Sequence, residues 1–510
     1  MFILIDEKEL RGLKDVEFKL EKENHLIAER IKKLNQLKEL GINPYPYKFN
    51  QTHHSTELLE KYSQLKAEEH TTDAVNVAGR IIGFRKLGKL AFGHIKDNDG
   101  KIQILFNERE TKNFDQLKFL DIGDYIGATG IIFKTKTGEL TVKCQEYTIL
   151  SKSLRPLPEK FHGIQDVEIK YRQRYLDLIM DDKSKQVFIL RSKIIKAVRE
   201  FLDSKGFMEV ETPVLETIYG GAAARPFVTH HNELDMKLYL RISLELPLKK
   251  LIAGGFEKVY QIGKVFRNEG IDTTHNPEFT MMECYWAYAD YHDMMELVED
   301  CYNYVALKVL GTTIIKYQDK EIDLKKPWPR IPLKEAIKKY AQLDVDTMSN
   351  EEIITLLEKH KIDHRRDMTK GQLTLKLFDI VEDKLIQPIF ITDYPKESTP
   401  LCKLNRHNHE LIEQFEPRIA GMEIGNAYSE LTDPIRQRYL LEEQAKELRA
   451  GLEESNPMDE EFCKAVDFGL PPMSGLGLGI DRMIILLTDS ASIRDIIFFP
   501  TMKNSEEKKE

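Results

Sequence analysis

From Glu29 to Leu40 the run ERIKKLNQLKEL places Ile31, Leu34, Leu37 and Leu40 three residues apart with lysines between them. That spacing predicts a helix with one apolar face. Gly41 can cap it, and Pro44 and Pro46 stop it. The helix is read either as solvated and packed on a neighbour or as also touching nucleic-acid phosphates. Between about 73 and 150 the period shortens towards two. VNVAGRIIGF, AFGHIK, KIQILF, YIGATGIIF and ELTVKCQEYTIL read as five strands, with hairpin turns at Asp99-Gly100 and around Gly138. Five short strands suit an OB-type barrel, although spacing alone does not separate it from another small barrel. RPLPEKFHG, held extended by Pro156 and Pro158, reads as a linker. Beyond it lies a mixed region in which 320–390 carries helical patterns such as KEAIKKYAQL and NEEIITLLEKH. The expected organisation is a helical extension over 1–66, a barrel over 67–152, a linker over 153–170, a large domain over 171–503 with a helical insertion at about 320–390, and a disordered tail over 504–510.

Composition narrows the class. In 510 residues, 41% are hydrophobic and 31% charged, which fits globular domains with sizeable cores. The net charge of -9 argues against a chain coated in nucleic acid, so any RNA contact must be a local basic patch. Cys144, Cys284, Cys301, Cys402 and Cys463 show no CxxC spacing, which disfavours zinc or a disulfide framework and makes a reducing, cytoplasmic setting the expectation. No run approaches the roughly 20 apolar residues of a membrane helix, and the N-terminus lacks a signal-peptide pattern.

Three segments carry candidate chemistry. KVFRNEGIDTTHNPEFTMMECYWAY (264–288) reads as a hairpin with Arg267 at the end of its first strand. An arginine there can fork onto a carboxylate or phosphate, but alone it reads equally as a structural salt bridge. GLGLGIDRMIILL (475–487) alternates three glycines with apolar residues before Asp481-Arg482. It lacks the GK[ST] of a phosphate loop, and its glycines either let a flat ligand approach the strand or mark tight packing. In FEPRIAGMEIGNAYSELTDP (415–434), Glu416, Glu423 and Glu430 recur every seven residues, yet Gly421 and Gly425 favour strand and turn over an acidic helix stripe.

Together these segments resemble class II aminoacyl-tRNA synthetases. FLDSKGFMEVETPVL (201–215) resembles their motif 1, the Arg267 hairpin motif 2, and GLGLGIDR motif 3. GGAAARPFVTHHNELDMKLYLRISLELPLKKL, FRNEGIDTTHNPEFTMMECY, AGMEIGNAYSEL and DFGLPPMSGLGLGIDR, with FHGIQDVEIKYRQRYLDLI after the linker, narrow the likeness to the lysyl family from about residue 25 to 503. Departures are small: SLEL at 243–246 often has proline before its glutamate, Cys402 and Met422 stand where alanine and arginine are common, and nothing before residue 25 matches a motif.

The resemblance implies an α+β protein: an N-terminal OB barrel that reads the anticodon of tRNA(Lys), and a catalytic antiparallel sheet flanked by helices, paired as a homodimer with Pro213 at the interface. It implies that Arg267 holds the α-phosphate of ATP and the substrate carboxylate, and that Arg482 stacks on adenine and meets the γ-phosphate. Phe279 would cover the other adenine face, Glu269 would meet the adenine amino group, and His275 would lie near the phosphates. Glu416 and Glu423 would hold Mg²⁺, as hard oxygen ligands suit it. L-Lysine would place its side-chain ammonium at Glu283 and Glu430, beside Tyr285, Asn426 and Tyr428, and its α-amino group at Glu245 and the Gly221 backbone. On the barrel, Phe92 would stack a base, with Gln103 and Glu139 at its edge and Arg80 as a further contact; the bland reading of Phe92 is barrel core. An aspartyl or asparaginyl relative would need a cation where Glu283 and Glu430 stand. A protein-lysylating paralogue would lack the barrel. A non-enzymatic RNA-binding relative would have lost Arg267, Glu423 or Arg482.

Overall fold

A computed structural model describes residues 7–158, 164, 166–449 and 456–503. The chain forms two compact units that divide between residues 163 and 164. The expected disordered tail, 504–510, lies outside the described residues.

In the first unit the helix His25–Glu39 is capped by Asn24, whose side chain accepts from Leu26 N at 2.8 Å. It ends where Gly41 turns to φ +72 and the amides of Gly41 and Ile42 bond back to Lys38 and Leu37. Ile31, Leu34 and Leu37 are buried, but Leu40 is exposed. The apolar stripe therefore stops one turn earlier than its spacing suggests, because Leu40 is the cap and no longer follows the helical rotation. Arg30, from the same face, donates to the carbonyls of Ile122, Ser153 and Arg155.

Five strands, His70–Leu87, Leu90–Lys96, Lys101–Asn107, Tyr125–Lys134 and Leu140–Ser151, close into a ring in the order first, second, third, fifth, fourth. Alternation sends Val75, Val77, Ile95, Ile104, Ile126 and Val142 inward, where Leu37 and Leu58 join them. Lys152 is wholly buried between Asp121 and Asp124, a charge pairing with no signature in the local sequence.

The second unit is built on a sheet whose order runs Arg330–Pro332, Ile389–Pro395, Leu411–Ile419, Gly425–Ser429, Met473–Gly479, Glu278–Ala287, Lys258–Phe266, Met208–Glu209, with Met422–Glu423 added beside Leu411–Ile419. Its centre is antiparallel, as expected, whereas both edge strands pair parallel. One face meets the helices Asp182–Ser204, Tyr291–Leu310 and Ile480–Thr488 in a core containing Met282, Cys284, Phe415, Ala427, Leu476 and Leu478. Neighbouring residues on those strands point to the opposite face. The helical patterning expected over 320–390 occupies only 333–378, in three helices. Its start is β structure instead: Ile314–Tyr317 and Lys320–Asp323 form a hairpin whose two turn residues, Gln318 and Asp319, both take positive φ.

Candidate active site

The face of the sheet turned away from the helical core forms the floor of a cavity of about 470 Å³. Period two dictates its lining. Glu283 and Tyr285 alternate with the core residues Met282 and Cys284, Asn426 and Tyr428 flank Ala427, and Gln414 and Glu416 flank Phe415. The alternating glycines of the strand Met473–Gly479 lie on this floor, and two of them have a packing reason. A Cβ on Gly475 would stand 2.2 Å from Glu430 Oε1 and 2.4 Å from the Tyr285 ring. A Cβ on Gly477 would stand 2.9 Å from Met281. These glycines thus make room for the pocket's own side chains. Gly479 meets only Arg482 and leaves the strand end open.

At one end of the cavity stand Arg267, Glu269, His275, Phe279 and Arg482. Arg267 follows the strand Lys258–Phe266, which pairs in register with Glu278–Ala287 so that Phe266 opposes Glu278. Its guanidinium lies 5.2 Å from the Phe279 ring and donates to Ile242 O at 3.4 Å. Burial presses its pKa downward, while Glu269, Glu423 and Glu283 pull the other way. Arginine stays cationic under such a load. Arg482 donates to Glu423 O at 2.6 Å and approaches His275 Nε2 at 3.2 Å. The other ring nitrogen of His275 meets Asp272 at 2.8 Å, and the His275 contact and backbone donors hold that carboxyl at about 2 despite partial burial. Asp481, next to Arg482, is buried and structural. It accepts from Arg191 at 2.6 Å and from Thr280 N at 2.7 Å, tying the two chemistry-bearing segments together.

Glu416 and Glu423 lie on adjacent strands on the same side of Arg418, which opposes Glu423 directly and donates to Glu416 at 2.6 Å. Burial raises the Glu416 carboxyl; Arg418 opposes this and Glu423 adds to it. Two mutually repelling carboxylates at a cavity wall suit a divalent cation that also has other oxygen ligands. No cluster of three metal-ligating side chains occurs among the described residues. The seven-residue recurrence of Glu416, Glu423 and Glu430 comes from three successive extended segments, not a helix.

The far end is acidic and buried. Glu245, Glu283 and Glu430 are 5%, 3% and 0% exposed. Glu283 accepts from Ser243 Oγ at 2.9 Å, Leu244 N at 2.8 Å and Tyr285 Oη at 3.1 Å. Burial, then the Glu245 charge, push the Glu283 carboxyl up to about 7 against those three donors. Glu245 accepts from Tyr428 Oη at 2.6 Å. Burial raises Glu430 well above the carboxylate range, and its Oε1 finds no hydrogen-bond partner among the described residues. A Cβ on Gly221, at φ +83, would stand 2.9 Å from Glu245 Cβ, so a side chain there would collide with Glu245. Sequence reasoning missed Lys249. It is 1% exposed by its side chain and ion-paired with both Glu245 and Glu430. Its i, i+4 spacing from Glu245 reads in sequence as an ordinary surface pair.

On the barrel the sequence-selected residues sit on the outward face. Phe92 is half-buried and alternates with Ala91 and Gly93, so it stays outside the barrel core. Gln103 opposes His94 and donates to Glu139 at 2.7 Å; Glu139 also meets His94 at 2.8 Å. His94 was not singled out, because nothing local distinguishes it from any strand histidine. Arg80 stands apart from this trio, opposite Lys96, with its guanidinium 4.3 Å over the Tyr125 ring. Pro213 is exposed beside Val214 and Leu215, which are 39% and 47% exposed.

Comparisons with known proteins agree with this architecture. Residues 166–503 match the family model of tRNA synthetases class II (D, K and N), and residues 75–150 match that of the OB-fold nucleic acid binding domain. Among similar curated proteins is a lysine–tRNA ligase from Pelotomaculum thermopropionicum, 51% identical over 98% of this chain and 99% of the relative. Another is from Clostridium novyi, 50% identical over 98% of each chain, and a third from Moorella thermoacetica is 49% identical over 96% of this chain and all of the relative.

Proposed function

This chain belongs to the lysine–tRNA ligase family of class II aminoacyl-tRNA synthetases, and on that footing we propose that it activates L-lysine with ATP and transfers it to the 3′ end of tRNA(Lys). The observation that carries the reading is the buried cluster of Glu245, Glu283 and Glu430 in the same cavity as Arg267 and Arg482. A four-carbon stem ending in an ammonium is matched by buried acids, and a neutral or anionic side chain is not.

In the first step the lysine carboxylate attacks the α-phosphorus of ATP and expels pyrophosphate. A carboxylate is already a nucleophile, so no general base is required. The barrier lies in bringing two anions together, and Arg267 bridges the carboxylate and the α-phosphate. Phe279 and Arg482 sandwich the adenine, with Glu269 at its amino group. His275, fixed by Asp272, and Arg482 face the outer phosphates. Glu416 and Glu423 would hold Mg²⁺, which would supply positive charge to offset that of the phosphates. In the second step a ribose hydroxyl of the tRNA attacks the adenylate carbonyl, the carbonyl–phosphate bond breaks to release AMP, and the hydroxyl proton leaves with the phosphate or to water. Tyr285, Asn426 and Tyr428 line the path of the lysine stem, while Glu245 and the Gly221 backbone take the α-amino group. Phe92, Gln103, Glu139 and Arg80 would meet the anticodon on the barrel.

Pyrophosphate exchange into ATP tests the reading. Lysine should drive exchange, and aspartate and asparagine should not. No exchange with lysine would sink it. The exposed apolar run around Pro213 supports a homodimer, and sedimentation showing only monomer at micromolar concentration would reject that. A cytoplasmic setting is supported by five buried free cysteines and by the lack, among the described residues, of a helix long and apolar enough to cross a membrane. Recovery of the protein in an oxidising compartment would reject it.

A further inference from the structure

Resting on the lysine-activation reading, we propose that Lys249 is a built-in counter-ion: it fixes the acid cluster at the charge that the two ammonium groups of one free lysine neutralise. It acts through Glu245 and Glu430 and is therefore a positioning residue.

The helix Glu245–Ala253 places Glu245 and Lys249 one turn apart on its buried face. The Lys249 ammonium contacts Glu245 on its own helix and Glu430, which follows the strand Gly425–Ser429. Tyr428 and Tyr285 stand 5.4 and 6.0 Å away, and Phe462, from the helix Glu460–Asp467, stands 5.9 Å away. Cys402 bridges across from Glu430. Further out, Arg241, Arg267 and Glu216 act on Glu283 through their charges.

With all three carboxyls ionised, as a bound dication requires, the cluster and its one ammonium carry two negative charges. Free lysine brings two ammonium groups, and its carboxylate is matched by Arg267. The occupied site is then electrically closed, which buried charges require. Geometry leaves a place for the incoming cation. Lys249 takes Glu430 Oε2, while Oε1 packs against Gly475, has no hydrogen-bond partner among the described residues, and belongs to a residue that lines the cavity. An aromatic box of this kind would accept an apolar side chain at 249, and buried ion pairs are often replaced by one without loss of stability. A purely structural role therefore predicts that Lys249→Met leaves lysine recognition alone. Under the counter-ion account, loss of the ammonium leaves a buried cluster one charge too negative. Its carboxyls then take up a proton instead of staying ionised.

The test uses the full chain in lysine-dependent pyrophosphate exchange, across pH, with thermal melts as the check on folding. For Lys249→Met the acid limb of kcat/KM for lysine should move up by about one pH unit or more. At pH 7 the KM for lysine should then rise about tenfold and recover as pH increases, with the KM for ATP unchanged. Lys249→Arg should stay near the unaltered profile. An unmoved limb, a lowered lysine KM, or an arginine variant that behaves like methionine would overturn the proposal. The unaltered protein offers a second measurement that needs no variant to fold. Calorimetry below about pH 7, where Glu283 still holds a proton, in buffers of different ionisation enthalpy should find more protons released on binding lysine than on binding 6-aminohexanoate, which has one ammonium. Equal counts would also overturn it. If the unaltered protein shows no lysine-dependent exchange, the functional reading itself falls. If it does and the Lys249 variants match it, only this inference falls.

Discussion

The same residue type does different work in the two units. In the cavity of the second unit Glu430 is fully buried, with one oxygen on Lys249 and the other unpartnered among the described residues. On the barrel Glu139 is about half exposed by its side chain, 47%, and both oxygens are engaged, with His94 and Gln103. A charge kept from water interacts strongly and is costly to leave unmatched; a wet one is screened and contributes little. The pocket can therefore discriminate by charge. On the proposed function, the barrel face would rely on shape and on stacking over Phe92. Substitutions in the pocket should thus act steeply on one substrate, and those on the barrel mildly on another.

The largest effect should come from Glu430→Gln, which keeps shape and removes charge. A truncated buried charge pair costs ~3 kcal/mol, so the lysine KM in pyrophosphate exchange should rise roughly a hundredfold. The KM for ATP should change far less, and equal losses would break the contrast between the two ends of the cavity.

Next comes pH. Glu283 gains its negative charge as pH rises through about 7. An ammonium needs the ionised form, so kcat/KM for lysine should climb by about tenfold per pH unit below 7 and level off above it. A flat profile between about pH 5.5 and 7 would show that Glu283 does not bind the cation.

Gly475→Ala is a steric version of the same test. Its Cβ would enter the space of Glu430 Oε1 and Tyr285. Overpacking of this kind costs about 1–3 kcal/mol, which should raise the lysine KM by about tenfold and lower the melting temperature. An unaffected lysine KM would mean that the acid is not held where the substrate needs it.

The smallest effect belongs to the barrel. Phe92→Ala should reduce kcat/KM for tRNA charging by about tenfold, from the loss of one stacked base, and leave pyrophosphate exchange intact. A defect in both assays would remove the division of labour between the units.

What could be read from the sequence was what local physics determines. The strand runs follow period-two patterning between their turns at Asp99-Gly100 and Gly138, and Gly41 ends its helix because the turn there takes positive φ. The pocket acids were found through resemblance, since nothing in the spacing of Glu283 and Glu430 brings them together. Lys249, His94 and the Lys152–Asp124 pair escaped notice because each depends on a partner from another segment. The start of the insertion misled because Lys320–Asp323 carries too few apolar residues to announce a strand; its hairpin partner decides it.

A crystal structure with bound lysine tests the central claim most directly. The account predicts the side-chain ammonium between Glu430 and Glu283 and the carboxylate at Arg267. An ammonium directed instead at Glu416 and Glu423 would contradict it.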